Sequence, residues 1–507
     1  MKYIIGVDIG TSGAKAVAFT ASGEVLADAL VSYQPLPTEP GFHELDPEVL
    51  FQAVLDVIRT ALSGTRSREG LSGICFSAAM HSLIAVDKNG IPLTHVITWA
   101  DTRSKEQAIR LKNTPEGDRI YEKTGTPIHS MSPLCKIAWI REKQPVVFAK
   151  TGKFIGIKEF IWNRFFGKYL IDYSIASATG LFDIYRMDWF EEALVFAGIT
   201  AEKLSRPRPT VYSESGIDMK YRIALGLSGE IPFIIGGSDG CLANLGTNAV
   251  LPGDVSLTIG TSGALRMISS TPKNDPEQRI FNYILTENHY VSGGAVNNGG
   301  VILQWYIKHF MDPSEEPGVS FSNRIEEAAA VPAGAEGLFF LPYLLGERAP
   351  IWNEDARGVF FGIHPKHNQR HFLRAVLEGI SYSLFQVGHS LEETIGPIGD
   401  IYASGGFTQS ECWLQLIADL FNKKVYLTSA TDASAIGAAM LGFYARGIVE
   451  KMEDLQKIIE IKRVILPDPA RSRLYRQYYP LFVSLYASLR ESFSQLNRLL
   501  EETNPIG

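Results

Sequence analysis

Apolar residues run almost unbroken from Tyr3 to Ile9 and return over 14–20 behind a Gly-Thr-Ser-Gly turn. A third run, 24–33, follows Ala-Ser-Gly. Short β-rich runs separated by such turns predict a three-strand meander. Over 46–62 the apolar spacing lengthens to three and four residues, with Asp46 placed to cap a helix and Pro47 in its first turn. Two more strands are predicted at 71–78 and 82–90, the second ending in Asn-Gly. Strands that alternate with helices argue an α/β protein. Farther along, helical spacing marks 297–310, 370–393, 411–421 and 433–446. Leu474, Tyr478, Leu481, Leu485, Leu489, Phe493, Leu496 and Leu500 recur at steps of three or four. They predict a long amphipathic helix over 471–500 that packs onto its own domain in preference to a homodimer seam.

A hexapeptide repeat changes this picture from one domain to two. IGTSGA stands at 9–14 and again at 259–264, each time behind an apolar β run. Chance reuse of a good turn sequence is the bland alternative. The other reading is a duplicated domain in which each half presents one Gly/Ser/Thr hairpin to a shared cleft. Gly and Pro near 246–253 mark a hinge, so the halves are set at 1–248 and 249–507.

Composition removes several functions. The 507 residues carry 48 Lys+Arg against 55 Asp+Glu, a net charge of −7, with no basic excess to attract a nucleic-acid backbone. Cys75, Cys135, Cys241 and Cys412 are far apart, with no Cys-x-x-Cys pair, as expected for buried free thiols in a reducing compartment. MKYIIGVDIG is interrupted too early by Asp8 to be a signal peptide, and no run approaches the ~18 apolar residues that span a bilayer. A cytoplasmic protein without membrane or nucleic-acid partners is expected.

The hairpins are the first candidates for chemistry. Successive backbone N–H groups in a glycine turn form a concave anion site, and Thr and Ser hydroxyls add donors. No G-x-x-x-x-G-K-[ST] loop is present. Asp8 precedes the first hairpin and Thr258 the second, so only the first half has a carboxylate to hold hydrated Mg²⁺ against phosphates, with Lys15 as a nearby cation. GGSDG (236–240) follows an apolar strand and would expose Asp239 at its end. An Asp there can accept the proton of an attacking alcohol, or can simply form a turn. SGGF (404–407) lies between a strand and a helix, where glycines let a ring or phosphate approach the backbone. MHS (80–82) and WADTR (99–103) offer the mixed donors, acceptors and aromatic wall that polyhydroxylated ligands need, or satisfied core positions. GERAPIWN (346–353) reads as a salt-bridged loop, and HPKHNQRH (364–371) as a solvated helix start more than a metal site.

Taken in order, DIGTSGAK, MHS, WADTR, SPLCKIAWI (132–140), GGSDG, TIGTSG, LPYLLGERAP and GVFFGIHPKHNQRHFLRAVLEG (358–379) resemble the FGGY family of carbohydrate kinases across nearly the whole chain. The resemblance implies an α/β fold of two ribonuclease-H-like domains, as in the actin/hexokinase/Hsp70 superfamily, flanking a deep cleft. It implies ATP and Mg²⁺ as cofactors. It makes Asp239 the general base and lets Asp8 position Mg²⁺ through water. Gly10, Thr11, Ser12 and Lys15 would meet the phosphates from one side, and Gly260 and Thr261 from the other. Gly300 and Gln304 match the family's nucleotide-contacting helix start, and Gly405, Gly406 and Ser410 its adenosine site, where glycerol kinases often have Asn in place of Ser410. Met80, His81, Trp99, Asp101 and Met131 fall where members bind the sugar. Glycerol kinases carry Arg-Glu at the position of Met80-His81, which argues against glycerol.

Within the family, ITWADTRS (97–104), TGTPIHSMSPLCKIAW (124–139), IGIKEFIW (155–162), DYSIASATGLFDI (172–184) and LTENHYVSGGAVNNGG (285–300) are most similar to the bacterial branch acting on gluconate. That similarity implies transfer of phosphate from ATP to the terminal hydroxyl of D-gluconate, with xylulose or another pentulose or polyol as the alternative substrate. Arg103 and Lys158 are the candidates for binding the C1 carboxylate.

Overall fold

In the computed structural model, residues 2–66, 69–311, 325–430 and 432–503 are described. The predicted meander is there: strand Tyr3–Ile9 pairs antiparallel with Gly13–Thr20, which pairs antiparallel with Val25–Ser32. Leu71–Ala78 then pairs parallel to Tyr3–Ile9, and Phe233–Ser238 pairs parallel to Leu71–Ala78. Ser213–Glu214 closes the edge of this six-stranded sheet. Helix Pro47–Gly64 starts where Asp46 accepts from the amides of Glu48 and Val49. The predicted 82–90 strand shrinks to Ile84–Val86, because Asp87 folds the following Asn-Gly into a turn by accepting from the amides of Asn89 and Ile91.

Both faces of the sheet are covered, which is why its first strand reads as a continuous apolar run. Tyr3, Ile5, Val7 and Ile9 join the core under helix Pro47–Gly64. Ile4 joins the opposite core, with helices Asp239–Gly246 and Ala433–Ala445. These two helices meet at backbone distance. A Cβ added at Gly437 would lie 1.9 Å from the carbonyl oxygen of Leu242, and one at Gly246 would lie 1.7 Å from that of Ala433. Gly6 seats the later helix on the first strand in the same way, with Ala435 O only 1.9 Å from an added Cβ.

The backbone divides into two units that are discontinuous in sequence. The first comprises Met1–Pro252, Ile268–Ser292 and Ala430–Glu460, and the second Gly253–Met267, Gly293–Ser429 and Ile461–Gly507. The second repeats the logic of the first. Strand Val255–Ile259 pairs antiparallel with Gly263–Ser269 and parallel with Ile401–Ser404, followed by Val425–Thr428 and Ile461–Ile465. The C-terminal helix, Pro469–Thr503, packs on its own unit through Tyr382–Phe482 and Phe385–Tyr479 ring contacts of 5.1 and 4.8 Å. Its buried stripe runs through Tyr475, Phe482, Leu485 and Phe493. Leu481, Leu496 and Leu500, which periodicity assigned to that stripe, are exposed, because the aromatic contacts set the rotation of the helix. All four cysteines are buried and free. Among the described residues no helix is long and apolar enough to cross a membrane.

The glycine contact makes a direct prediction. Gly437→Ala forces the two helices apart and costs about 2–4 kcal/mol, read as a fall of several degrees in melting temperature. Gly229→Ala, where nothing lies within 4 Å of an added Cβ, serves as the control and leaves the transition in place.

Candidate active site

In the first unit, sheet register brings the acidic residues together. Asp8 lies opposite Lys15 across the hairpin and opposite Ser77 on the parallel strand. The Ser77 hydroxyl donates to Asp8 Oδ1 at 2.6 Å. Lys15 Nζ reaches Asp432 Oδ1 at 2.5 Å, a pair that sequence reasoning did not anticipate because 417 residues separate the partners. Asp432 stands directly before helix Ala433–Ala445 and arrives here with it.

Asp239 owes its position to a bulge. Pairing of Phe233–Ser238 with its neighbour shifts between Ile234 and Gly237, and Gly236 has φ +71°. A side chain at Gly236 would collide with Phe76 O at 1.7 Å, so only glycine permits the bend. Ser238 then caps the helix that Asp239 opens, and Gly240 N donates to Asp239 Oδ1 at 2.7 Å. This is a strand-to-helix junction presenting a half-buried carboxylate, more than the turn-forming Asp that composition alone allowed.

The first hairpin closes with Gly10 N donating to Gly13 O, and Tyr33 Oη donating to Gly10 O at 2.6 Å. Thr11 is half-buried and Ser12 exposed. The identical hexapeptide in the second unit folds differently. Ile9 pairs with Ala14, leaving four residues in the turn, whereas Ile259 pairs with Gly263, leaving three. The second turn is held by helix Gly300–Phe310, whose Gly300 and Val301 amides donate to Gly260 O and Thr261 O. An added Cβ at Gly300 would lie 2.7 Å from Gly260 O, which accounts for that glycine. Gln304 is exposed one turn later, and Thr261 is exposed on the hairpin. Nothing lies within 4 Å of an added Cβ at Gly260 or Gly406, so packing within the chain does not require glycine at either position. Gly405 has φ +100° and crosses Ile259 O closely. Ser410 is buried as the cap of helix Glu411–Phe421, accepting from Trp413 N and donating to Glu326.

The segments expected to meet the sugar all lie in the first unit. His81 has φ +65° and is buried; its Nδ1 donates to Ala178 O at 2.7 Å. Lys136, from SPLCKIAWI, donates to His81 O at 2.6 Å and Thr98 O at 2.7 Å, clipping MHS to the residue before Trp99. Met80 and Trp99 are half-buried and Met131 is buried. Asp101 accepts from His43 N and from Arg103. The Arg103 side chain is 3% exposed, pairs with both Asp101 and Glu44, and lies 3.9 Å over the Phe42 ring. Lys158 pairs with Asp172 at 2.6 Å and donates to Gly237 O at 2.7 Å, fixing the strand that leads to Asp239. Both cations therefore spend their charge on protein carboxylates.

Residues 3–246 match the N-terminal domain of the FGGY family of carbohydrate kinases, and 255–446 its C-terminal domain. The chain belongs to the FGGY family of carbohydrate kinases. It is 41% identical to a gluconokinase of Bacillus subtilis over 97% of each chain. Among solved structures it resembles a gluconate kinase of Lactobacillus acidophilus, with TM-score 0.93 and 34% identity over 98% of this chain and 99% of that one. A ligand-bound xylulose kinase from the same organism gives TM-score 0.93 and 33% identity over 98% and 100%.

Electrostatics mark the Asp8 corner of this carbohydrate kinase. Burial, and then the negative charge of Asp239, push the Asp8 carboxyl up to about 6, against the pull of Ser77 and Lys15. Such a pair of acids can attract a divalent cation. Among the described residues no group of three or more His, Cys, Asp or Glu could hold a metal ion. His364, His367 and His371 instead build the start of helix Gln369–Thr394, with Asn368 as its cap. Glu347 of GERAP is buried and pushed up to about 7 by desolvation. It accepts from Asn297 N and Asn298 Nδ2, tying that loop to the segment before Gly300.

The raised Asp8 carboxyl sets a sign. Its ionised form is disfavoured in the fold, so its contribution to stability is complete below about pH 4 and is lost as pH rises through about 6. Without divalent ions, Asp8→Asn is expected to gain about 1–3 kcal/mol at pH 7 and nothing below pH 4. Thermal melts of both proteins across that range measure the difference.

Proposed function

We propose that this kinase transfers the terminal phosphoryl group of ATP to the C6 hydroxyl of D-gluconate, giving 6-phospho-D-gluconate and ADP. The observation that carries the substrate is the 41% identity, over 97% of each chain, to a protein named gluconokinase. Asp239 accepts the hydroxyl proton as the oxygen attacks the γ-phosphorus and the bond to the β-phosphate oxygen breaks. Its half-buried carboxylate at the head of a capped helix supports this role. Gly10, Thr11, Ser12 and Lys15 meet the phosphates from the first domain, and Gly260 and Thr261 from the second. The open space at Gly260 and Gly406 supports close approach of a nucleotide to the backbone. Gly300, Gln304, Gly405, Gly406 and Ser410 serve the nucleotide, with Ser410 acting through the helix it caps. Bound Mg²⁺ would be held through water by Asp8 and would neutralise phosphate charge.

In this reading the N-terminal domain, 1–248, binds the sugar through Met80, His81, Trp99, Asp101 and Met131, and the C-terminal domain, 249–507, binds adenosine. Arg103 and Lys158 contribute to the acid end through the carboxylates they hold, Asp101 and Asp172, which fix the recognition surface. The work is done in the cytoplasm. A second reading, xylulose as acceptor, is supported by the equal TM-score of the xylulose kinase structure.

Coupled assays of ADP release with gluconate, xylulose, ribulose and glycerol decide between them. Gluconate is expected to give the highest kcat/KM; a higher value for xylulose overturns the choice. Asp239→Asn is expected to lower kcat by about a thousandfold or more while nucleotide affinity holds within a few-fold, and near-normal turnover removes Asp239 from the mechanism.

A further inference from the structure

Within the first unit, a cavity of about 780 Å³ is lined by Lys153, Lys168, Arg206 and Arg208, with Glu202 as the one carboxylate among its lining residues. Four cations in one cavity stand out in a chain of net charge −7. None of them is used in the phosphoryl-transfer reading above. Lys153 is anchored, donating to Glu202 O at 2.8 Å and Leu204 O at 2.9 Å. Lys168 pairs with Glu214.

The arginines differ from these lysines. Neither Arg206 nor Arg208 has a carboxylate partner among the described residues. Arg208 Nε is buried without a hydrogen-bond partner. The two residues stand two apart on strand Arg206–Arg208, so they line the same face of it. Pro207 between them fixes one backbone angle of that strand. The strand pairs in parallel with Leu170–Asp172, which holds it in place. The Arg208 guanidinium lies 5.4 Å over the Tyr212 ring, and Trp189 contributes a second wall.

We propose that this cavity is a second ligand site, taking a small phosphorylated molecule whose phosphate is gripped by Arg206 and Arg208 and whose ring rests against Trp189 and Tyr212. Guanidinium forks match phosphate oxygens two at a time, and adjacent forks on one strand face can share one phosphate. Aromatic walls hold either the apolar face of a sugar or the face of a base.

Calorimetric titration tests this in the intact protein, comparing wild type with the Arg206→Ala/Arg208→Ala double variant at low salt. The probes are inorganic phosphate, glucose 6-phosphate and adenosine monophosphate; binding at the kinase site is common to both proteins and cancels. The expected result is a loss of about tenfold or more in affinity in the double variant, with turnover of sugar and ATP within about twofold of wild type. Tighter binding of glucose 6-phosphate or of the nucleotide than of inorganic phosphate supports the ring contact and tells sugar from base. Equal affinity of wild type and double variant for all three probes overturns the site. Undiminished binding by Arg206→Lys/Arg208→Lys overturns the guanidinium grip, since that pair keeps the charge and removes the fork.

Discussion

The corner that holds Asp8 and Asp239 depends on one backbone contact: helix Ala433–Ala445 lying against both the first strand and helix Asp239–Gly246, at distances only glycine allows. Gly6, Gly246 and Gly437 each face a carbonyl oxygen that a methyl group would displace. Through this contact three segments far apart in sequence become one rigid body. Asp8 is the last residue but one of the strand, Asp239 opens one helix, and Asp432 immediately precedes the other. The spacing of the acids is set by packed backbone, which resists small displacements better than side-chain contacts do.

That rigidity has an electrostatic consequence. Burial and the charge of Asp239 both penalise ionisation of Asp8, and the Asp432 charge adds to them. Lys15 relieves part of this and is itself held by Asp432. Left to itself, a cluster of like charges would spread or protonate; the glycine contact prevents spreading. The corner thus favours a ligand that brings positive charge and hydrogen bonds, as hydrated Mg²⁺ with phosphates would.

Buried cations do a different job in the MHS and WADTR segments and around Lys158. Lys136, pushed down to about 7 by burial, binds carbonyls of the His81 and Thr98 segments. Lys158 holds Asp172 and the carbonyl of Gly237, and Arg103 holds Asp101 and Glu44. A buried charge without such partners would be costly, so each fixes the geometry of the loops around it. Internal ion pairs and carbonyl contacts hold these loops stiff.

Local pattern was enough for the meander, for helix Pro47–Gly64 with its Asp46 cap, and for the repeated hairpins, because turn chemistry and the two- and 3.6-residue periods act over a few neighbours. Motif resemblance was enough for the family. Neither could supply the one-residue difference between two identical hexapeptides, which follows from what packs on each turn: Tyr33 on one, the start of helix Gly300–Phe310 on the other. Nor could they pair Lys15 with Asp432, enclose Arg103, or set the rotation of the C-terminal helix. Those outcomes rest on which distant segments lose water together. A charge or an apolar face finds its partner only when the chain has closed around it, and no short window of sequence contains both sides of that contact.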